Sequence, residues 1–262
     1  MKNLLELLKD AKPEAGHFAL CHLGQQSFLV KIGDRILAFD PYLTPDRVRL
    51  VPPFFTPEEF CGIDIITGSH DHGDHIDRPS LSGMAATSPQ AKLVIPEAVR
   101  SSIDEFPQDR IAGLDDGVSV EIGGVRITAV AEAHEFLDRN PAGQYPYLGY
   151  VVEYNGVTLY HAGDCCLYEG FTARLRQWHF DAMFLPINGR DAGRYTNNCI
   201  GCLTFQEAAD LAGALKPRMV FPAHYDMFAM NLENPQQFLA YVRVKYPDLK
   251  TDLPPTGQVR IY

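Results

Sequence analysis

The chain has 262 residues, 46% hydrophobic, 11% aromatic and 21% charged, a globular composition far from disordered, collagenous or membrane classes. Lys and Arg number 23 against 33 Asp and Glu, a net charge of −10, so the basic field that phosphate-backbone binding needs is missing and nucleic acid is not expected as a partner. No run approaches the ~18 consecutive apolar residues of a membrane span, and the length reads as one domain over residues 1–262.

Residues 1–11 read as a short amphipathic helix, not a signal peptide, because charges break the apolar run and no small-residue cleavage site follows. The expected location is therefore the cytoplasm. Segments 17–24, 27–32 and 35–39 form an antiparallel meander punctuated by Gly24-Gln25-Gln26 and Gly33-Asp34. Pro41, Pro45, Pro52, Pro53 and Pro57 mark a long loop, and 63–67 is a buried strand running into a His-rich segment. Strand 92–95 and a helix over 97–105 follow, then strands 118–122 and 125–130 hinged at Gly123-Gly124. Strands 148–154 and 157–160 turn at Asn155-Gly156, a type I′ signal. Helices are expected at 171–178, at 205–215 behind a Thr204 to Glu207 capping box, and at 235–246. Strands at 182–185, 219–222 and 259–262 complete an α+β fold of two packed, mostly antiparallel sheets with helices outside.

Six cysteines (Cys21, Cys61, Cys165, Cys166, Cys199, Cys202) are scattered through a large chain, so free thiols are expected, not a disulfide framework. Cys199-Ile200-Gly201-Cys202 lacks the second pair a structural zinc site wants. Cys165 and Cys166 are expected to be buried and inert, although they follow Asp164 closely.

Ser69-His70-Asp71-His72-Gly73-Asp74-His75 packs three imidazoles and a carboxylate suited to borderline divalent metals into a short stretch. On a strand His75 would point away from His70, His72 and Asp74. A loop turning at Gly73 lets His70 and His72 address one metal while Asp74 and His75 address a neighbour. His134, Asp164 and His224 each sit where a strand stops and are the candidates for the remaining ligands. His161 is expected to pack beneath the site; His17, His22 and His179 fit no metal pattern.

This series, H-x-H-x-D-H followed by a His, an Asp after Gly163 and a final His, resembles the metallo-β-lactamase superfamily over nearly the whole chain. The resemblance implies an αββα sandwich, His70, His72 and His134 on one metal, Asp74, His75 and His224 on a second, and Asp164 bridging them. Asp40, in Phe39-Asp40-Pro41, matches the family's early Asp-Pro and would orient a ligand. A narrower stretch, Leu185-Pro186-Ile187-Asn188-Gly189-Arg190-Asp191, with the 204–209 helix start and Pro222-Ala223-His224-Tyr225-Asp226-Met227-Phe228 plus Asn231, looks like the L-ascorbate-6-phosphate lactonase group. That resemblance implies manganese and a homo-oligomer, whereas the ligand chemistry alone admits zinc or iron as well.

Two divalent ions lower the pKa of a shared water from about 15.7 toward ~7, so the expected reaction is attack of a metal-bridging hydroxide on a carbonyl. Asp74 would orient the water or take its proton. Tyr225 either donates to the developing oxyanion or simply packs. Asn188, Arg190 and Arg194 would hold a substrate phosphate, unless the arginines form salt bridges instead. The expected function is hydrolysis of a small anionic ester, a phosphorylated sugar lactone by the resemblance. A phosphodiesterase on the same site, or a metal-binding scaffold without turnover, are the alternatives.

Overall fold

The computed structural model describes residues 3–262. The first half of the chain builds one sheet from β1 (Phe18–Gly24), β2 (Ser27–Ile32), β3 (Arg35–Phe39), β4 (Ile65–Thr67), β5 (Lys92–Pro96) and β6 (Ile111–Leu114). The second sheet takes β7 (Ser119–Ile122), β8 (Val125–Ala131), β9 (Leu148–Tyr154), β10 (Val157–His161), β11 (Ala182–Pro186), β12 (Met219–Ala223) and β13 (Lys250–Thr251) in order. The last strand, β14 (Val259–Ile261), returns to pair with β1 and closes the first sheet's edge.

The sandwich is the expected one, and strand direction refines it. Each sheet begins as hairpins and turns parallel halfway across, at β3–β4 in the first and β10–β11 in the second. Parallel neighbours need a crossover; a long loop with one 3-10 turn supplies it between β3 and β4, and helices supply the others. In chain order the helices are α1 (Leu4–Asp10), which precedes β1, then α2 (Arg78–Thr87), α3 (Glu97–Arg100), α4 (Phe171–Leu175), α5 (Ala192–Thr196), α6 (Phe205–Leu215) and α7 (Pro235–Lys245). The helix expected over 97–105 stops at Arg100, and α5 is a short helix in a stretch for which no element was expected. The β9–β10 turn has Asn155 and Gly156 at φ 49° and 75°, the left-handed pair a type I′ turn requires.

Three apolar layers explain the strands' continuous hydrophobic runs, since both faces are covered. Phe18, Phe28, Phe39, Phe184 and Phe221 interdigitate between the sheets. Leu5, Leu8, Phe60 and Met84 cover the outside of the first sheet, and Tyr160, Phe171, Leu185 and Phe238 that of the second. No helix among the described residues is long and apolar enough to cross a membrane.

The capping box of α6 is present: the Glu207 amide donates to Thr204 Oγ1 (3.2 Å) and the Thr204 amide to Glu207 Oε2 (2.8 Å). Thr204→Ala is expected to cost about 1 kcal/mol, read as a lower urea midpoint at unchanged slope. An unchanged midpoint would show that tertiary packing alone holds the helix start.

Candidate metal centre

The chain leaves β4 through Gly68, where a Cβ would lie 2.4 Å from Ile76 Cγ1. Only glycine lets the strand end close against the turn that follows, and that turn is set by the His75 and Ile76 amides donating to His72 O at 3.0 and 2.8 Å. The ends of β8, β10 and β12 bring His134, Asp164 and His224 to the same rim.

The candidate ligands converge as two groups. In one, ligating atoms of His70, His72 and His134 lie within 4.8 Å of each other; in the other, those of Asp74, His75 and His224 do so. Asp164 stands between. Its Oδ2 is 3.6 Å from His134 Nε2, and its Oδ1 is 3.5 Å from His75 Nε2 and 3.0 Å from His224 Nε2. One carboxylate thus turns an oxygen toward each group.

Burial opposes ionisation of Asp164, yet His224, His75 and His134 around it outweigh that and hold its carboxyl well below the usual range. Burial, then the neighbouring His75, pushes His70 far down; burial and His134 do the same more mildly to His72. These imidazoles are therefore neutral donors at neutral pH. His75 goes the other way: burial disfavours its charge, but Asp164, Asp74 and Asp40 raise it well above the usual value.

Asp40 is fully buried and accepts from His75 Nδ1 (2.7 Å), Ser69 Oγ (2.5 Å) and the Ser69 amide (3.0 Å). Its grip on Nδ1 leaves His75 Nε2 to face the cluster. His75 Nε2 and Asp164 Oδ1 are both buried without a hydrogen-bond partner. An unsatisfied buried polar atom costs roughly 1–3 kcal/mol, and two of them aimed into one nest of nitrogen and carboxylate donors is what a divalent cation would satisfy. The donor set suits zinc, iron or manganese.

Other expected residues are placed differently. Arg190 forks onto Glu207 (2.7 and 2.9 Å) and donates to Cys202 O (2.7 Å). Arg194 pairs with Asp191 and donates to Asn231 Oδ1 (3.1 Å) and Leu232 O (2.8 Å). Asn188 Nδ2 donates to the same Asn231 oxygen (2.8 Å), and Asn231 Nδ2 approaches His224 Nδ1 at 3.4 Å. Asn188 and Arg194 thus share Asn231 behind His224, while Arg190 is held apart by Glu207 and Cys202. Tyr225 packs 5.9 Å from the His22 ring and with the core outside the second sheet, not with the ligating atoms. His161 lies beneath as expected, stacked on Phe39 at 4.9 Å, with Gln26 O 2.8 Å from its Nε2.

Two residues went unread in the sequence. Gln25 occupies the β1–β2 turn at φ 57°, buried, with Nε2 2.7 Å from Asp74 Oδ2 and 2.9 Å from His224 Nε2. A turn glutamine carries no signal of its own; only the folded hairpin brings it here. Tyr147 packs its ring 5.4 Å from His70 and 5.0 Å from His134, in a stretch that reads as an irregular loop.

Two facing sheets with this His and Asp cluster at one rim make the arrangement of a metal-dependent hydrolase of metallo-β-lactamase type. Residues 35–225 match the family model described as beta-lactamase superfamily domain, a span holding every clustered ligand. A UPF0173 metal-dependent hydrolase of Pyrococcus horikoshii is 30% identical over 218 residues, 82% of this chain and 88% of its own. Another from Pyrococcus abyssi is 30% identical over 221 residues, with the same coverage of 82% and 88%. Among solved structures, Igni18, a metallo hydrolase of Ignicoccus hospitalis, superposes with a TM-score of 0.73 at 20% identity over 94% of this chain and 98% of that one, a likeness of fold. The chain belongs to the beta-lactamase superfamily, with the UPF0173 metal-dependent hydrolases as its relatives.

Proposed function

We propose that this metal-dependent hydrolase opens a small carboxylic ester or lactone at a two-ion centre. The observation that carries the reading is Asp164, with an oxygen toward each of the two ligand groups. Ions held there would make a water acidic enough to act as a nucleophile at neutral pH. The protein's own groups do the rest. His72 and Asp74 form the open side of the cluster while His70, His75, Asp164 and His224 are buried, so substrate arrives over Asp74. Asp74, steadied by the Gln25 amide, is the carboxylate placed to take a proton from the attacking water.

The loops around the opening carry exposed apolar side chains: Phe136 beyond His134, Leu167 beyond Asp164, and Met230 and Leu232 beyond His224. Tyr195 Oη on Glu135 (2.9 Å) and Arg194 on Leu232 O (2.8 Å) tie these loops together. Such a rim fits a substrate with an apolar body. Arg190 and Arg194 already hold carboxylates, so a substrate phosphate would have to compete with Glu207 and Asp191.

The test is an assay of purified, metal-analysed protein on L-ascorbate 6-phosphate, an unphosphorylated lactone, an apolar aryl ester and a generic phosphodiester. The expected result is chelator-sensitive turnover of esters or lactones, with a phosphate changing KM by less than about tenfold, or ~1.4 kcal/mol. Turnover confined to the phosphodiester would transfer the site to phosphoryl chemistry. No turnover on any of the four would leave a metal-binding scaffold.

A further inference from the structure

Of the thiols near Asp164, the two adjacent to it in sequence turn elsewhere. Cys165 is buried in the core outside the second sheet beside Glu132. Cys166 Sγ receives Arg190 Nη1 at 3.4 Å and faces Gly201 O at 3.5 Å. Cys202, far away in sequence, is the cysteine whose sulfur falls within 4.8 Å of ligating atoms of both Asp164 and His224, and all three residues are buried. Asp164 Oδ1, 3.0 Å from His224 Nε2, is buried and satisfied by no hydrogen bond.

Its placement is built in. A Cβ on Gly201 would lie 1.8 Å from Gly189 O, so glycine alone lets the two backbone segments press together there. The Gly189 amide donates to Leu203 O (3.0 Å), the Leu203 amide to Cys165 O (2.8 Å), and Arg190 clamps Cys202 O (2.7 Å) while forked on Glu207. These contacts pin the Cys202 backbone from both sides.

We propose that Cys202 is an additional ligand of the metal held by Asp74, His75 and His224, making that position a nitrogen, oxygen and sulfur site that prefers zinc or cobalt over manganese. The proposal rests on the reading of this cluster as a metal centre. Sulfur is the soft member of the set, and of zinc, cobalt and manganese the last is the least suited to it. On ligation the S–H bond breaks, a sulfur–metal bond forms and the proton passes to bulk water.

The probe is cobalt(II), with metal content measured on the same samples. A thiolate-to-cobalt charge-transfer band in the near ultraviolet is expected in the wild type and in Cys166→Ser, and its loss in Cys202→Ser. Cobalt bound without the band, or a band that survives Cys202→Ser, would overturn the thiolate while leaving the metal centre standing. A chain that binds no cobalt would overturn both. X-ray absorption on the zinc-loaded wild type needs no variant: a sulfur scatterer at about 2.3 Å is expected, and nitrogen and oxygen scatterers alone would refute it.

Discussion

If the proposed two-ion ester hydrolase is right, Asp164→Asn is expected to keep its fold yet lose at least one ion, with hydrolysis falling by more than about 100-fold. Residues that merely orient a ligand are worth roughly 10–100-fold in metal affinity or activity, and Asp164 has an oxygen facing each group. Asparagine has the same shape but offers one neutral oxygen. In metal-free protein the substitution also removes the attraction to His224, His75 and His134 that outweighs the burial cost of the Asp164 charge, so some stability is lost there too. What disappears is stabilisation by added metal, which for a ligand at 100 times its Kd amounts to about 2.7 kcal/mol. Melting curves with and without metal, beside metal analysis, check this. Unchanged stoichiometry would remove Asp164 from the centre.

Asp40→Asn will weaken both metal binding and the metal-free fold. Asp40 serves three donors with two oxygens: His75 Nδ1, Ser69 Oγ and the Ser69 amide. Asparagine replaces one oxygen with a donor, leaving at least one buried N–H or O–H unpaired at roughly 1–3 kcal/mol. The backbone is not the cause, since Asp40 sits at φ 41°, a left-handed conformation asparagine also adopts. Loss of the acceptor frees the His75 ring, with an expected 10–100-fold fall in metal affinity. Urea unfolding of the apo protein and metal titration separate the two effects. Unaltered affinity would mean that packing alone orients His75.

The ligand series was legible because metal chemistry is written in residue types: four donors within Ser69 to His75, then one each at three strand ends. The hairpins were legible from Asn155-Gly156 and Gly123-Gly124, and α6 from its capping box. The parallel halves were not, because a strand covered on both faces, such as β4, shows no alternation, and α2 opens on Arg78-Pro79 with a weak apolar stripe. Arg190 and Arg194 could be read from the sequence either as phosphate binders or as salt-bridge partners. Their partners Glu207, Asp191 and Asn231 are fixed by tertiary folding, with Glu207 held in place by the capping box itself. Gln25 and Cys202 reach the site only through a hairpin turn and a glycine-to-backbone contact, neither of which leaves a trace in spacing.

The proposed centre holds two ions that share Asp164. Anomalous diffraction at the metal edge from metal-loaded crystals tests it most directly. The expected result is two peaks, one among His70, His72 and His134, the other among Asp74, His75 and His224, both in contact with Asp164. A single peak that leaves one of these groups empty, or peaks elsewhere in the molecule, would contradict it.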